Sequence, residues 1–425
     1  MTMKLALLLL ALGLSPVVLT TRLTAQTLPV PTLPPEPAPK PTPQPTPESQ
    51  PRSPSKTPLK QPVAQPAEET GQVRPRPWEY ALGAGVAWDS NIAFLRPDGP
   101  SGTAIIPTGE VARVLSSTRG QLRAEARGSW VGYPYQETLS RYYFDAGLRG
   151  DYRSSAQTTW RGQAHYWLGY SDSSPTLIEQ GVPLPLVKTR SLTGELALTR
   201  QMGTRTSLHV EGRVLRTVFE DPDFVDGTSL RGTLSLERRL GVRDAVSVVY
   251  ALEESGSYVT HFGSLQWAHT LSHRSAFLLE AGASHTPDAK QLGLDRSEGF
   301  FGGATFIRQI GRSSLRVYFR REVAPAFGFG GSRLESRAGL QADIPMGRDW
   351  RLRMMAYHIQ PETSQSAERV DPSSSDASVD LGRRVGKHLT ISGEARYRRR
   401  GATPTLPEIS AFQAALFLTT GSPER

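Results

Sequence analysis

The feature that most restricts this chain is a strict alternation that returns on itself. Between Gln121 and Trp130, the residues Leu122, Ala124, Ala126, Gly128 and Trp130 alternate with Arg123, Glu125, Arg127 and Ser129. After a short polar loop, Phe144, Ala146, Leu148, Gly150 and Tyr152 alternate with Asp145, Arg149, Asp151 and Arg153. A period of two describes a strand with one apolar and one polar face. Large aromatics mark both edges of the pattern, and the hairpin recurs to the end of the chain. The combination predicts a transmembrane antiparallel up-and-down β-barrel, all-β, apolar toward lipid and polar toward a lumen.

Composition agrees with strands rather than helices as the membrane-crossing element. Only 38% of the 425 residues are hydrophobic and 21% are charged. No apolar run of about 18 residues follows the N-terminus, as a helical span would need. The absence of cysteine excludes disulfides, thiolate metal sites and a cysteine nucleophile. The formal charge of +9 is spread out: residues 1–77 carry eight Lys or Arg and four Asp or Glu, and the remainder 41 and 36. Such a distribution is not a nucleic-acid patch. After residue 77 the only lysines are Lys188, Lys290 and Lys387, so the positive charge is almost all arginine. A compositional bias accounts for this, and so does a lumen built to contact carboxylate or phosphate groups.

In chain order, residues 1–25 read as a secretory signal peptide, with Lys4 before the apolar core Leu5 to Leu14 and Ala25 at the cleavage position. Residues 26–77 read as a proline-rich, disordered periplasmic linker. Thr27 to Pro77 holds 17 of the 34 prolines, and proline neither donates to a sheet nor leaves φ free. At about 3.1 Å per residue it would extend to roughly 150 Å. Residues 78–420 form the barrel domain and 421–425 a short tail. About eighteen strands are expected, near 78–88, 105–115, 120–130 and 142–153, through 377–385 and 388–398, to 409–419. Every second connection is tight, as at Ser116 to Arg119 and Ser154 to Ala156. Long ones intervene, as at Asp89 to Ala104 and Ser171 to Lys188. Short turns on one side and long loops on the other are the outer-membrane arrangement, which locates the protein in the bacterial outer membrane with both termini in the periplasm. Trp78, Tyr152, Trp160 and Trp350 would form one interfacial aromatic band, and Trp88, Trp130, Tyr133, Tyr135 and Tyr170 the other.

Placing apolar residues outward assigns the inner wall, because Arg or Lys facing lipid costs about 2–4 kcal/mol at the midplane. The pore-lining set on this reading is Arg123, Glu125, Arg127, Asp145, Arg149, Arg161, His165, Glu211, Arg213, Arg231, Arg316, Arg320, Arg337, Arg351, Arg353, Glu394 and Arg396. Two outcomes are open: the acids neutralise the arginines across neighbouring strands, or a net-basic wall remains for polyanions or sugars. No catalytic constellation emerges, and no enzyme activity or cofactor is expected. The histidines lack metal-ligand spacing, and there is no Gly-x-Ser-x-Gly or phosphate-loop motif. Asp221 to Gly227 approaches a calcium loop, with its third carboxylate one residue late, and reads as a solvated outer loop.

The first strand exits through Trp88-Asp89-Ser90-Asn91-Ile92. This resembles the aromatic-Asp-Ser/Asp-Asn-Val/Ile exit of the second β-barrel porin family, which includes the outer-membrane barrels of exopolysaccharide export. The resemblance implies a conduit for polysaccharide export, partnered by a periplasmic polysaccharide-export complex as well as by outer-membrane lipid and the barrel-assembly machinery. The alternatives are a general or solute-selective diffusion porin and a non-conducting structural or adhesive barrel. Most such barrels end on an aromatic residue, whereas here Gly421 to Arg425 follow Phe417-Leu418-Thr419-Thr420.

Overall fold

The computed structural model describes residues 78–94, 96–174, 177, 184–256, 258–287, 298–325, 332–362, 372–402 and 407–421. The expected signal peptide and proline-rich linker lie outside these residues. Eighteen strands follow one another: β1 (Trp78–Asp89), β2 (Gly102–Ser117), β3 (Gly120–Val131), β4 (Arg141–Ser155), β5 (Thr158–Tyr170), β6 (Lys188–Gln201), β7 (Thr206–Phe219), β8 (Gly227–Arg239) and β9 (Asp244–Ser255). They continue as β10 (Tyr258–Ser272), β11 (Ser275–His285), β12 (Glu298–Ile310), β13 (Ser313–Pro325), β14 (Ser332–Met346), β15 (Trp350–Pro361), β16 (Ser374–Val385), β17 (Leu389–Arg400) and β18 (Ile409–Gly421).

Each strand pairs antiparallel with its sequence neighbours, and β1 pairs with β18 from Ala81 opposite Gly421 to Asp89 opposite Gln413. The barrel is therefore closed and up-and-down. Closure is obligatory in lipid, where each unpaired N–H or C=O costs several kcal/mol. No helix among the described residues is long and apolar enough to cross a membrane, and the strands do so instead. Glycines make the tight turns where the chain needs positive φ, as at Gly311 (φ 61°) and Gly386 (φ 73°). The one tight connection on the long-loop side joins β9 to β10 through Gly256, also at φ 61°.

The alternation fixes the faces. On β1, Trp78, Tyr80, Leu82, Ala84, Val86 and Trp88 are exposed, while the residues between them are half-buried or buried. Outward charges stay near strand ends: Arg113, Arg200, Arg238, Arg308 and Arg383 toward the short turns, and Lys188, Arg190, Arg216, Arg321 and Arg399 toward the loops. Their cost against lipid falls to about 0–1 kcal/mol at the interfaces. Two arginines near the short-turn rim stack on girdle tryptophans, Arg113 5.0 Å from the Trp78 ring centre and Arg383 5.2 Å from that of Trp350. One expected girdle member is misplaced by the sequence reading. Tyr133 is only 2% exposed and points into the barrel mouth, because it lies past the end of β3 and follows the loop inward.

Candidate functional site: the barrel lumen

The strand registers put every expected wall residue on the inward parity. These are Arg123, Glu125 and Arg127 on β3, Asp145 and Arg149 on β4, Arg161 and His165 on β5, Glu211 and Arg213 on β7, and Arg231 on β8. On the other side of the ring they are Arg316 and Arg320 on β13, Arg337 on β14, Arg351 and Arg353 on β15, and Glu394 and Arg396 on β17. An eighteen-stranded barrel is wide enough to leave an aqueous channel between such walls.

Neutralisation is partial and does not follow cross-strand opposition. Several register partners are alike: Arg123 sits opposite Arg149, Arg213 opposite Arg231 and Arg320 opposite Arg337. Arg123 instead bonds its own strand's Glu125 and also Glu79 of β1 at 2.8 Å. Asp145 is engaged by His165 at 3.0 Å, not by Arg127. Glu335, fully buried, is clamped between Arg333 (2.8 Å) and Arg337 (3.1 Å). Asp376 takes Arg396 at 2.6 Å, and Asp343 takes Arg351 at 2.5 Å. Among the described residues Arg127, Arg149, Arg161, Arg316, Arg320 and Arg353 have no carboxylate within ion-pair distance. The Nε of Arg316, one terminal nitrogen of Arg320 and the Nε of Arg400 are buried without a protein acceptor. Arg316 lies 5.6 Å over the Tyr318 ring. That ring lies against Gly339, its register partner, where a Cβ would overlap it.

The unbalanced charge has a direction. The inner faces of β13–β17 carry ten arginines against the six carboxylates Glu322, Glu335, Asp343, Asp376, Asp380 and Glu394. Nine places round the ring from β15 is β6. Across β5–β7 the inner face carries two arginines (Arg161, Arg213), two glutamates (Glu195, Glu211) and a run of hydroxyls that includes Thr189, Ser191 and Thr217. A transverse field, basic on one side and neutral on the other, follows from this placement.

The mouth is narrowed by loops that fold inward. The loop after β1 buries Ile92 among Ala87, Ala104, Ile106, Val131 and Tyr133, all on or next to the inner ends of β1–β3. Phe94, at a φ of 50° unusual for a non-glycine residue, packs on Ile409 and Ala411. Its ring covers two arginines, Arg398 at 5.3 Å and Arg400 at 5.9 Å. Residues Leu177, Leu184 and Val187 of the loop after β5 pack on Leu215 and Phe219 of β7. The two loops meet where the Leu186 N–H donates to the Ala93 carbonyl at 3.1 Å. A buried node ties them to the loop after β3. Arg141 pairs with Asp172 at 3.1 Å and donates to the Tyr133 hydroxyl at 3.1 Å and to the Ile92 carbonyl at 3.3 Å. Tyr143 donates to the same Asp172 carboxylate. Burial pushes the Tyr133 phenol up to about 12, partly offset by the adjacent Arg141.

The exit motif supplies the turn that aims the first loop. The Asn91 N–H donates to Asp89 Oδ1 (2.9 Å), while the Asn91 side chain accepts from the Phe94 N–H (3.1 Å) and donates to the Arg96 carbonyl (2.8 Å). Ser90 exchanges two bonds with the Phe412 backbone across the β1–β18 seam, at 2.9 and 2.8 Å. Short Asp, Ser and Asn side chains bond to nearby backbone in this way and hold a non-strand path. In the calcium-like segment, Asp221 and Asp226 accept from the backbone amides of Asp223 and Phe219.

Sequence reasoning missed Arg141, Asp172, Arg333, Asp376 and Arg400. Arg333 shares the inward parity of Glu335 within the strand expected near 333–344, and Asp376 and Arg400 continue that of Ser378 and Arg398 by two residues, so extending those two strands would have found them. Arg141, the first residue of β4, continues the parity of Tyr143 and Asp145 in the same way, whereas Asp172 had no such signal, since its place depends on how the loop after β5 folds. The inward fold left one trace: Ala104-Ile105-Ile106 is apolar on both faces, where a water-lined wall would alternate.

The closed eighteen-strand barrel, its lipid-compatible exterior and its charged interior define a bacterial outer-membrane β-barrel. In accord with this, residues 80–233, from β1 into β8, match the family model described as putative beta-barrel porin 2. No curated protein matches the chain. Solved structures that match over most of the chain include the outer membrane protein OpdK from Pseudomonas aeruginosa, with 12% identity, 81% of this chain and 98% of that chain covered, and a TM-score of 0.42. Pseudomonas aeruginosa OccK2 (OpdF) in complex with glucuronate gives 12%, 82%, 98% and 0.45. The CymD monoaromatic hydrocarbon channel gives 14%, 82%, 89% and 0.31.

Proposed function

We propose that the chain is a solute-selective diffusion porin that favours small anions. The observation that carries this reading is the excess of arginine on β13–β17, where Arg316 and Arg320 have no carboxylate partner among the described residues. Fixed cations along one wall attract anions and repel cations, and a neutral opposite wall leaves that bias uncancelled. The inward loops restrict the mouth, which favours small solutes over polymers. The polysaccharide-export reading rested on a wide lumen, an arginine-rich inner face and the exit motif Trp88 to Ile92; the first two serve a small-anion porin equally, and the side chains of Asp89, Ser90 and Asn91 are accounted for by the fold of the first loop.

The test is the zero-current potential of purified protein in a planar bilayer under a salt gradient. Anion preference is expected, reduced in Arg316→Gln/Arg320→Gln. Cation preference in the wild-type protein, or a double variant with unchanged selectivity, would refute the reading.

A further inference from the structure

The outer surface carries one charged cluster that the lumen does not explain. At the loop end of β6, Lys188 and Arg190 occupy successive outward positions, and Arg216 joins them from β7, opposite Leu192 and one step from Arg190. Same-face neighbours of this kind lie within about 8 Å. Lys188 is in register with Tyr170, a member of the outer aromatic band, and its ammonium lies 5.6 Å over the Tyr142 ring. The cluster is therefore at headgroup height.

One carboxylate serves two of the three cations. Glu220 accepts from Lys188 at 2.9 Å and from Arg190 at 3.2 Å. Arg216 has no ion-pair partner among the described residues. Elsewhere on the same rim the outward arginines are matched one to one: Arg321 is clamped bidentately by Glu362 (2.6 and 2.5 Å) and Arg399 by Glu408 (2.9 and 2.8 Å). Among the described residues, the β6–β7 rim keeps a surplus of two positive charges at the membrane boundary. Below it runs an apolar lipid-facing strip of Tyr166, Leu192 and Leu196.

We propose that the β6–β7 rim binds a phosphorylated glycolipid of the outer leaflet, its phosphate held by Lys188, Arg190 and Arg216 and its acyl chains lying along the strip beneath. Guanidinium groups match phosphate bidentately, and an ammonium adds a point charge. The rings of Tyr142 and Tyr170, 6.5 Å apart, flank the Lys188 ammonium. This site lies outside the pore, so it stands or falls independently of the anion-channel reading.

The test uses the full-length protein in detergent, with native mass spectrometry to count bound lipid. The probes are bis-phosphorylated lipid A and the same lipid with its phosphates removed. The wild-type protein should retain the phosphorylated form. Each basic residue near a lipid headgroup strengthens binding about fivefold, so the Lys188→Gln/Arg190→Gln/Arg216→Gln variant should bind about a hundredfold more weakly. Its bilayer selectivity should equal that of the wild type, and Arg321→Gln/Arg399→Gln should bind as the wild type does. Should the triple variant fail to fold, Arg216→Gln alone, which leaves both Glu220 pairs intact, should weaken binding about fivefold. Equal binding of the dephosphorylated lipid, undiminished binding by the variants, or displacement of the lipid by an equal concentration of inorganic phosphate would each overturn the proposal.

Discussion

Asp172→Asn tests whether the inward loops are held by the buried node or merely rest there. Asp172 and Arg141 are 7% and 2% exposed at the side chain and 3.1 Å apart. Removing one partner of a buried ion pair costs about 3–5 kcal/mol, mostly because the other charge is left uncompensated. In the variant, Arg141 keeps the Tyr133 hydroxyl and the Ile92 carbonyl, both neutral acceptors, and the introduced side-chain amide keeps an acceptor for Tyr143. Those remaining partners and the nearby lumen water argue for the low end, about 3 kcal/mol. The barrel strands do not depend on this pair, so the loss should appear as local opening. It would raise the open-to-closed ratio of the loops by about a hundredfold. Hydrogen exchange reads that ratio directly at two amides that only the folded loops protect, Ile92 (to the Pro100 carbonyl, 2.9 Å) and Leu186 (to the Ala93 carbonyl, 3.1 Å). Both should exchange about a hundredfold faster, with amides of β10–β12 unchanged. Adding Arg141→Gln should recover part of the loss, because no buried charge then remains unpaired. Unchanged exchange at both amides in Asp172→Asn would refute the node as the latch.

Other expectations follow from particular contacts. Phe94→Gly removes the ring from Arg398 and Arg400 and relieves the positive φ, so single-channel anion conductance should rise; no change would show that the ring does not obstruct the path. Tyr133 has its phenol pKa raised above the ordinary 10 to about 12, so its contribution to the loop fold is complete below pH 10 and lost as pH climbs through 12. Tyr133→Phe should delete one late phenolate step from a spectrophotometric pH titration, and an unaltered curve would contradict the burial. A strain lacking the gene should display normal surface polysaccharide; its loss, with synthesis intact, would revive the export reading. Gly339→Val should drive the Tyr318 ring off its register partner into the lumen and lower conductance, read in the same bilayer assay.

The alternating hairpin already contained the fold. A charge facing lipid is expensive, so the parity of Arg123, Arg127 and Arg149 could go only one way, and the same logic placed Arg316, Arg320 and Arg396. The strand number was legible for a related reason: a tight turn every second connection is a local signal carried by a few residues, such as Gly311 and Gly386. What the hairpin left open was whether Glu125 and Asp145 cancel those arginines. In the folded barrel Glu125 goes to Arg123, Asp145 goes to His165, and Arg127 and Arg149 have no ion-pair partner among the described residues.

Pairing of this kind is decided by side-chain reach between strands and along them, so neither parity nor register specifies it. Loop placement escaped the sequence for a similar reason. Arg141 opens β4 and Asp172 lies 31 positions further on, in the loop after β5, and their attraction matters only after hydrophobic burial of Ile92 and Leu177 has brought the loops inside. Local periodicity, enforced by lipid on one side and water on the other, determined the barrel and the orientation of its charges. Long-range packing of loops on the inner wall, which no short stretch encodes, decided which charges remain free and how wide the mouth is.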